Sequence, residues 1–322
     1  MSVLVSVSDL GVHFRQGGGV FSAKKPKTIR AVDHATFDIK KGETFSLVGE
    51  SGCGKSTLAR AILQLQPATS GKVYFDGIDL SSLSPKDMRK LRRRMQMIFQ
   101  DPFTSLNPRM TIGQIIGEPL VIHGMAAARE ISQKTAEILE TVGLSRKLAN
   151  RYPHEFSGGQ RQRVGIARAI AVNPDFIICD EAIAALDVSV QAQIINLLSD
   201  LQEELDLTYL FIAHDLAVVK HLSHRIAAMY AGKIVEIADR DSLYKNPRHP
   251  YTQLLLSAVP TPDPRAGRKT VSASVTAKDR DIPLTGCVFA NRCPLVTDEC
   301  RHDSPALREV APGHHVACIH VQ

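Results

Sequence analysis

Gly49-Glu50-Ser51-Gly52-Cys53-Gly54-Lys55-Ser56-Thr57 matches the phosphate-binding pattern G-x-x-x-x-G-K-[ST] without a mismatch. Gly49, Gly52 and Gly54 let the backbone curl until successive N–H groups point inward, and a side chain in their place would block an approaching phosphate. Lys55 supplies a point charge for the β- and γ-phosphates, and Ser56 a hydroxyl for Mg²⁺. Upstream, Thr44 to Val48 reads as a short buried strand. Downstream, Leu58, Ala61, Ile62 and Leu65 recur at i, i+3, i+4 and i+7 and mark one helix face. Strand, loop, helix is the order that turns the dipole and unpaired N–H groups of a helix start onto an anion.

Working outward, 322 residues at 44% hydrophobic and 22% charged describe an ordinary globular chain with room for about two domains. The formal net charge of +6 admits a nucleic acid or a membrane surface as partner. Aromatic residues are only 5% and Trp is absent, so no stacking platform for single strands is evident. There is no apolar run of the roughly 18 residues a membrane span needs. The N-terminus alternates like a strand and lacks the basic region and cleavage site of a signal peptide. The expectation is a chain that stays in the cytoplasm with its six cysteines reduced.

Val3, Val5 and Val7, then Val12 and Phe14, predict strands of an antiparallel edge, interrupted by a Gly- and Lys-rich insertion over 15–30. Phe14 is placed either to fill core or to stack on an adenine ring. Ser84-Pro85 starts a helix, with Asp87 at its third position. The run Arg89, Lys90, Arg92, Arg93, Arg94 at its end reads as a solvated face or a contact within an assembly. A second buried strand, Met95 to Phe99, delivers Gln100, a Mg²⁺ ligand or a loop cap. From about 105 to 174 the pattern is helical. Within that segment Ser157-Gly158-Gly159-Gln160 opens a helix whose apolar side includes Val164, Ala167, Ile170 and Ala171. That is a second anion-binding helix start, serving another ligand or a nucleotide held by another chain. The apolar strand from Phe176 ends in Asp180 and Glu181, the first suited to a water-mediated Mg²⁺ contact and the second to orienting a water for attack. Asp187 precedes a helix with Ile194, Leu197, Leu198 and Leu201 on one face. The strand Tyr209 to Ala213 ends at His214, where ligands of doubly wound sheets bind.

In this order the motifs resemble the nucleotide-binding subunit of ABC transporters over about residues 3–259. The resemblance implies an α/β P-loop fold with a RecA-like core, an antiparallel β edge and a helical subdomain, working as an ATPase on ATP and Mg²⁺. By the same resemblance Glu181 is the catalytic base and His214 the γ-phosphate switch. Gly49, Gly52, Cys53, Gly54, Lys55, Ser56, Thr57, Gln100 and Asp180 hold the nucleotide, Ser56 and Gln100 take Mg²⁺, and Phe14 stacks on adenine. Ser157, Gly158, Gly159 and Gln160 reach ATP on the partner of a head-to-tail pair, and Asp187 links the two. Phe156 stands where the family has Leu. Ala182 replaces the usual Pro after the catalytic Glu and predicts a looser loop around Glu181.

The loop from Gln100 to Pro108 and Asn246-Pro-Arg-His-Pro-Tyr-Thr-Gln-Leu-Leu look like the dipeptide/oligopeptide importer branch, and Ile212-Ala-His-Asp-Leu-Ala-Val-Val-Lys-His like its F-type subunit. That branch implies a second ATPase subunit, paralogous or identical, two membrane permeases and an extracytoplasmic solute-binding protein. The chain would then be peripheral on the cytoplasmic face of the inner membrane, with no nucleic acid partner. The alternative is a soluble ABC-type ATPase acting on nucleic acid or ribosomes, but such chains generally carry a second nucleotide domain or a coiled-coil insertion.

Residues 260–283 read as a linker and 284–322 as a small cysteine-rich module with Cys287, Cys293, Cys300 and Cys318. So short a segment builds little core, and a metal staple is physically attractive. Zinc prefers close C-x-x-C pairs, although His314, His315 or His320 could complete a site; four widely spaced thiolates suit an iron-sulfur cluster. The family resemblance implies [4Fe-4S], with Zn²⁺ as alternative. Because the nucleotide motifs end before Pro260, the sequence predicts that losing the cluster unfolds the tail first and leaves nucleotide binding mostly intact.

Overall fold

The computed structural model describes residues 2–16, 27–258 and 285–321, so most of the insertion and the whole of the linker lie outside the described residues. Contacts divide the chain into two units. One comprises Met1–Val3, Ile39–Thr44 and Ser82–Ile212, the other Leu4–Asp38, Phe45–Ser81 and Ala213–Gln322.

The second unit begins with β1 (Val3–Gln16), β2 (Lys27–Lys40), β3 (Thr44–Val48), α1 (Lys55–Ile62), β4 (Ser70–Phe75) and β5 (Ile78–Asp79). Val5 and Val7 are buried in β1 as their alternation predicts, but Val3 is exposed and Leu4 buried, and the stretch with Val12 and Phe14 continues the same strand, which lies between β2 and β4 in the order β2-β1-β4-β5. Lys27 to Arg30, assigned to the insertion from sequence, are already strand. Every residue of β3 is buried. Helix α1 buries Leu58, Ala61 and Ile62 but stops at Ile62, with Gln64 turning left-handed (φ 54°). Leu65, predicted on the same face, therefore lies beyond the helix and is exposed.

The first unit holds α2 (Pro85–Arg92), β6 (Met95–Ile98), α3 (Pro102–Ser105), α4 (Ile112–Ile122), α5 (Ala128–Thr141), α6 (Gly158–Ile170), β7 (Phe176–Asp180), α7 (Val188–Leu205) and β8 (Thr208–Ala213). Ser84 caps α2 by accepting from the Asp87 N–H, with Pro85 at the first position, as the sequence predicts. A capping box between Thr111 and Gln114 starts α4, which buries Ile112, Ile115 and Ile116. Strands β6, β7 and β8 run parallel with β7 central. The wholly apolar run of β7 before Asp180 is what a strand covered on both faces requires.

The chain then returns to the second unit with α8 (Leu216–Leu222), β9 (Arg225–Tyr230), β10 (Lys233–Asp239), α9 (Arg240–Lys245), α10 (Pro250–Ser257), α11 (Asp298–His302), β11 (Arg308–Ala311) and β12 (His314–Val316). Strand β9 pairs parallel with β3, from Phe45↔Arg225 to Val48↔Ala228. Antiparallel β10, β12 and β11 extend the sheet beyond β9. The tail is thus joined to the sheet by β12. Fully buried Glu236 on β10 secures that junction by accepting from the Arg248 and His249 N–H groups (2.7 and 3.0 Å) and from His314 Nε2 (2.7 Å). A buried carboxylate with three donors is satisfied, where an unpaired one would be costly.

Candidate functional site

The loop between β3 and α1 takes its shape from close backbone contact. A Cβ at Gly49 would stand 2.2 Å from the Met229 carbonyl oxygen and one at Gly54, where φ is +113°, 2.0 Å from that of Ala31. Glycine is required there by the protein's own β9 and β2, a reason the sequence reading assigned instead to the approaching phosphate. Lys55 is buried, and its Nζ donates to the carbonyls of Gly49 (2.8 Å) and Glu50 (3.0 Å), so the ammonium is turned back into the loop. Ser56 and Thr57 follow in the first turn of α1, half-buried. The thiol of Cys53 is buried under the loop and pushed up by that burial, against the opposing pull of Lys55.

Glu50 is the loop's acidic residue, and two elements hold it. Its N–H donates to the hydroxyl of buried Tyr251 on α10 (2.9 Å). Its carboxylate accepts both terminal nitrogens of Arg292 from the tail, each at 2.9 Å. The tail is therefore not independent of the nucleotide machinery. Neither partner was foreseen: a carboxylate inside a phosphate loop asks for a countercharge, but no spacing in the sequence connects Glu50 with Arg292.

In the other unit the structure brings Gln100 and Glu181 together, the amide Nε2 donating to the carboxylate at 2.7 Å. Glu181 sits in the left-handed region (φ 46°), one residue past buried Asp180. Its N–H donates to the Ile212 carbonyl and its carbonyl accepts from the Ala184 N–H, both at 3.0 Å, while Ala182 is buried beneath. These contacts hold the turn on either side of Glu181. Such a left-handed backbone costs about 1–3 kcal/mol in a non-glycine residue.

Ser157 caps α6 in a reciprocal box, accepting from the Gln160 N–H (3.3 Å) and donating its own N–H to Gln160 Oε1 (3.0 Å). Gly158 and Gly159 form the first turn. A Cβ on Gly159 would come within 2.5 Å of Val190 Cγ1, so only glycine lets α7 approach this helix start. Asp187 occupies the N-cap position of α7 with no side-chain cap bond, and is exposed. In the phosphate-loop unit, His214 is exposed at the end of β8 and Phe14 is exposed on β1.

Cys287, Cys293, Cys300 and Cys318 line one small pocket, partly open to solvent, with His249 and His320 also on its wall. Burial raises the thiols of Cys287 and Cys293, and the neighbouring cysteines raise them further. Cys300 Sγ lies 3.4 Å from His320 Nε2. Among the described residues, no three His, Cys, Asp or Glu side chains form a group that could hold a metal ion. Neither the expected [4Fe-4S] cluster nor the zinc alternative therefore finds a ready ligand set among the described residues.

Comparison with known proteins matches residues 32–184 to the ABC transporter family and residues 235–300 to the oligopeptide/dipeptide transporter C-terminal region. The oligopeptide transport ATP-binding protein AppF of Bacillus subtilis is 49% identical over 318 residues, 98% of this chain and 96% of that protein. A solved dimeric ATP-binding cassette in a post-hydrolysis state with ADP and Pi is 31% identical, with a TM-score of 0.66 over 74% of this chain and 99% of that one. A component of an ABC transporter complex from Clostridium perfringens is 26% identical, with a TM-score of 0.65 over 76% of this chain and 92% of that one.

Proposed function

The chain belongs to the ATP-binding subunits of ABC transporters, in their oligopeptide/dipeptide branch, and on that premise we propose that it hydrolyses ATP to drive peptide uptake through two membrane permeases supplied by an extracytoplasmic binding protein. The similarity to AppF along nearly the whole chain, including its C-terminal region, carries this reading. No helix among the described residues is long and apolar enough to cross a membrane. We place the chain peripherally on the cytoplasmic face of the permeases and read it as the F-type subunit, on the phrase from Ile212 to His221.

Each site residue takes the role its chemistry allows. Lys55 binds the β- and γ-phosphates, and Phe14 stacks on adenine. Ser56, Gln100 and, through water, Asp180 are oxygen donors, the set a hard cation such as Mg²⁺ takes. Mg²⁺, when bound, screens phosphate charge. Glu181, steadied by Gln100, accepts the proton of the attacking water, and His214 faces the γ-phosphate. Ser157, Gly158, Gly159 and Gln160 serve the nucleotide of a partner ATPase, and Asp187 touches that partner. We divide the chain into a nucleotide domain over 1–259, a linker and a cysteine-bearing tail.

For the tail we favour a [4Fe-4S] cluster over zinc. The support for it is that all four cysteines face one small pocket and that four thiolates are the ligand set such a cluster takes; among the described residues the side chains are not drawn together as a metal-holding group, so binding would have to gather them. Such a cluster, when bound, supplies cationic irons that hold thiolates and can carry one electron. Reconstitution with the cognate permeases and binding protein in proteoliposomes tests the transport reading. ATP-dependent accumulation of a di- or oligopeptide is expected, and ATP hydrolysis that moves none of a peptide panel would remove peptide as cargo.

A further inference from the structure

We propose that Arg292 is a positioning residue of the ATPase, holding the phosphate loop through Glu50 and making nucleotide affinity depend on the fold of the cysteine tail. Its guanidinium forms a two-pronged pair with the Glu50 carboxylate, Nη1 to Oε2 and Nη2 to Oε1, both 2.9 Å. Such a fork fixes direction as well as charge. The group is mostly enclosed, its side chain 11% exposed, and it lies over the rings of Tyr230 (5.6 Å) and Phe289 (5.7 Å). Those rings pack edge to face with each other at 5.1 Å, and both contact Tyr251, the residue that receives the Glu50 N–H. Side chain and main chain of Glu50 thus rest on one aromatic platform.

Arg292 ends a short 3₁₀ turn, Ala290–Arg292, hydrogen-bonded to the Phe289 carbonyl. Cysteines bound this turn. The Ala290 N–H donates to the Cys287 carbonyl, and Cys293 follows Arg292 directly and donates to the Ala290 carbonyl. Both thiols line the cysteine cavity. Whatever orders that cavity therefore sets the position of the guanidinium.

The consequence is electrostatic. ATP brings several negative charges to a loop that already contains Glu50, and the enclosed Arg292 neutralises that carboxylate, whose own side chain is 43% exposed and therefore screened by solvent as well. With Arg292 gone, Glu50 repels the phosphates. The inference rests on Lys55 as the phosphate-binding lysine, so Lys55→Ala is the control. Unchanged affinity in that variant would sink the site reading itself, irrespective of Arg292.

The experiment titrates the full-length subunit with a fluorescent ATP analogue and measures steady-state hydrolysis. Arg292→Met should raise Kd and KM by about five- to tenfold while changing kcat less, and the effect should shrink with added salt. Adding Arg292→Met to Glu50→Gln should change Kd by less than about twofold, because no carboxylate is left to neutralise. Arg292→Lys, which keeps the charge and loses the fork, should fall between wild type and Arg292→Met, and it stands in if the Met variant does not fold. Wild-type affinity in folded Arg292→Met, a Lys variant as impaired as Met, or a loss of affinity undiminished by Glu50→Gln would each overturn the proposal.

Discussion

Glu181, which we propose as the base, is held on a left-handed turn by Ile212 and Ala184, with Gln100 on its carboxylate. A positioned base commonly contributes 10²–10⁴ in rate. Glu181→Gln should therefore keep ATP binding and lose about 10²-fold or more in steady-state hydrolysis, measured by phosphate release. Near-normal turnover would remove Glu181 from that role. The placement of Lys55 at the start of α1 and of Glu181 just past β7 was legible in the sequence because each lies at a fixed offset inside a local motif. Arg292 was not, because its meaning comes from a partner far away in the chain. Even at Gly49 and Gly54 the motif gave the residue without its reason, which is the nearness of the Met229 and Ala31 carbonyls.

Among the elements, α10 couples the phosphate loop to the tail, and its start depends on a neutral imidazole. His249 occupies the N-cap, and its Nδ1 accepts from the Tyr251 N–H at 3.0 Å. Burial pushes it down to about 4, with a backbone hydrogen bond at Ala317 pulling weakly the other way. The unfolded chain, titrating near the ordinary 6.5, then binds the extra proton between those values. The contribution of His249 is accordingly whole above pH 6.5 and is lost as pH falls from 6.5 through 4, up to about 3 kcal/mol. His249→Asn keeps a capping acceptor that does not titrate. Thermal unfolding at pH 7.5 and 5 should show a smaller drop in Tm for this variant than for wild type, and parallel drops would contradict the assignment. Elements with a period, such as β1 and α4, or with an unbroken buried run, such as β3 and β7, could be read in advance. The junction of β12 with β10 could not, since the short strand His314–Val316 carries no alternating signal and is recruited by the buried Glu236–His314 bond.

At the scale of the molecule, composition and motif order indicated a nucleotide domain followed by a cysteine-bearing tail, while the attachment of the tail to the phosphate loop depended on pairings visible only in three dimensions. Metal analysis after anaerobic purification tests the tail. About four irons with matching sulfide and broad absorbance near 400 nm, abolished by Cys287→Ser, are expected, and neither iron nor sulfide would exclude the cluster.

The same scale decides how many chains make an active unit. The chain presents two helix starts that we propose bind phosphate, Lys55–Ile62 behind its glycine loop and Gly158–Ile170 behind Ser157. One ATP has a single γ-phosphate. In a head-to-tail pair, like the arrangement we propose with a second ATPase subunit, each γ-phosphate receives a loop from one chain and a Ser157 turn from the other. Isolated protein should then be largely monomeric and slow, with specific activity rising with concentration or on adding the paralogous subunit. Gly159→Ala, whose methyl would press on Val190 at 2.5 Å, should abolish that rise while leaving binding at the chain's own Lys55 unchanged. Light scattering alongside phosphate release measures both, and full, concentration-independent turnover by a strict monomer would rule the arrangement out.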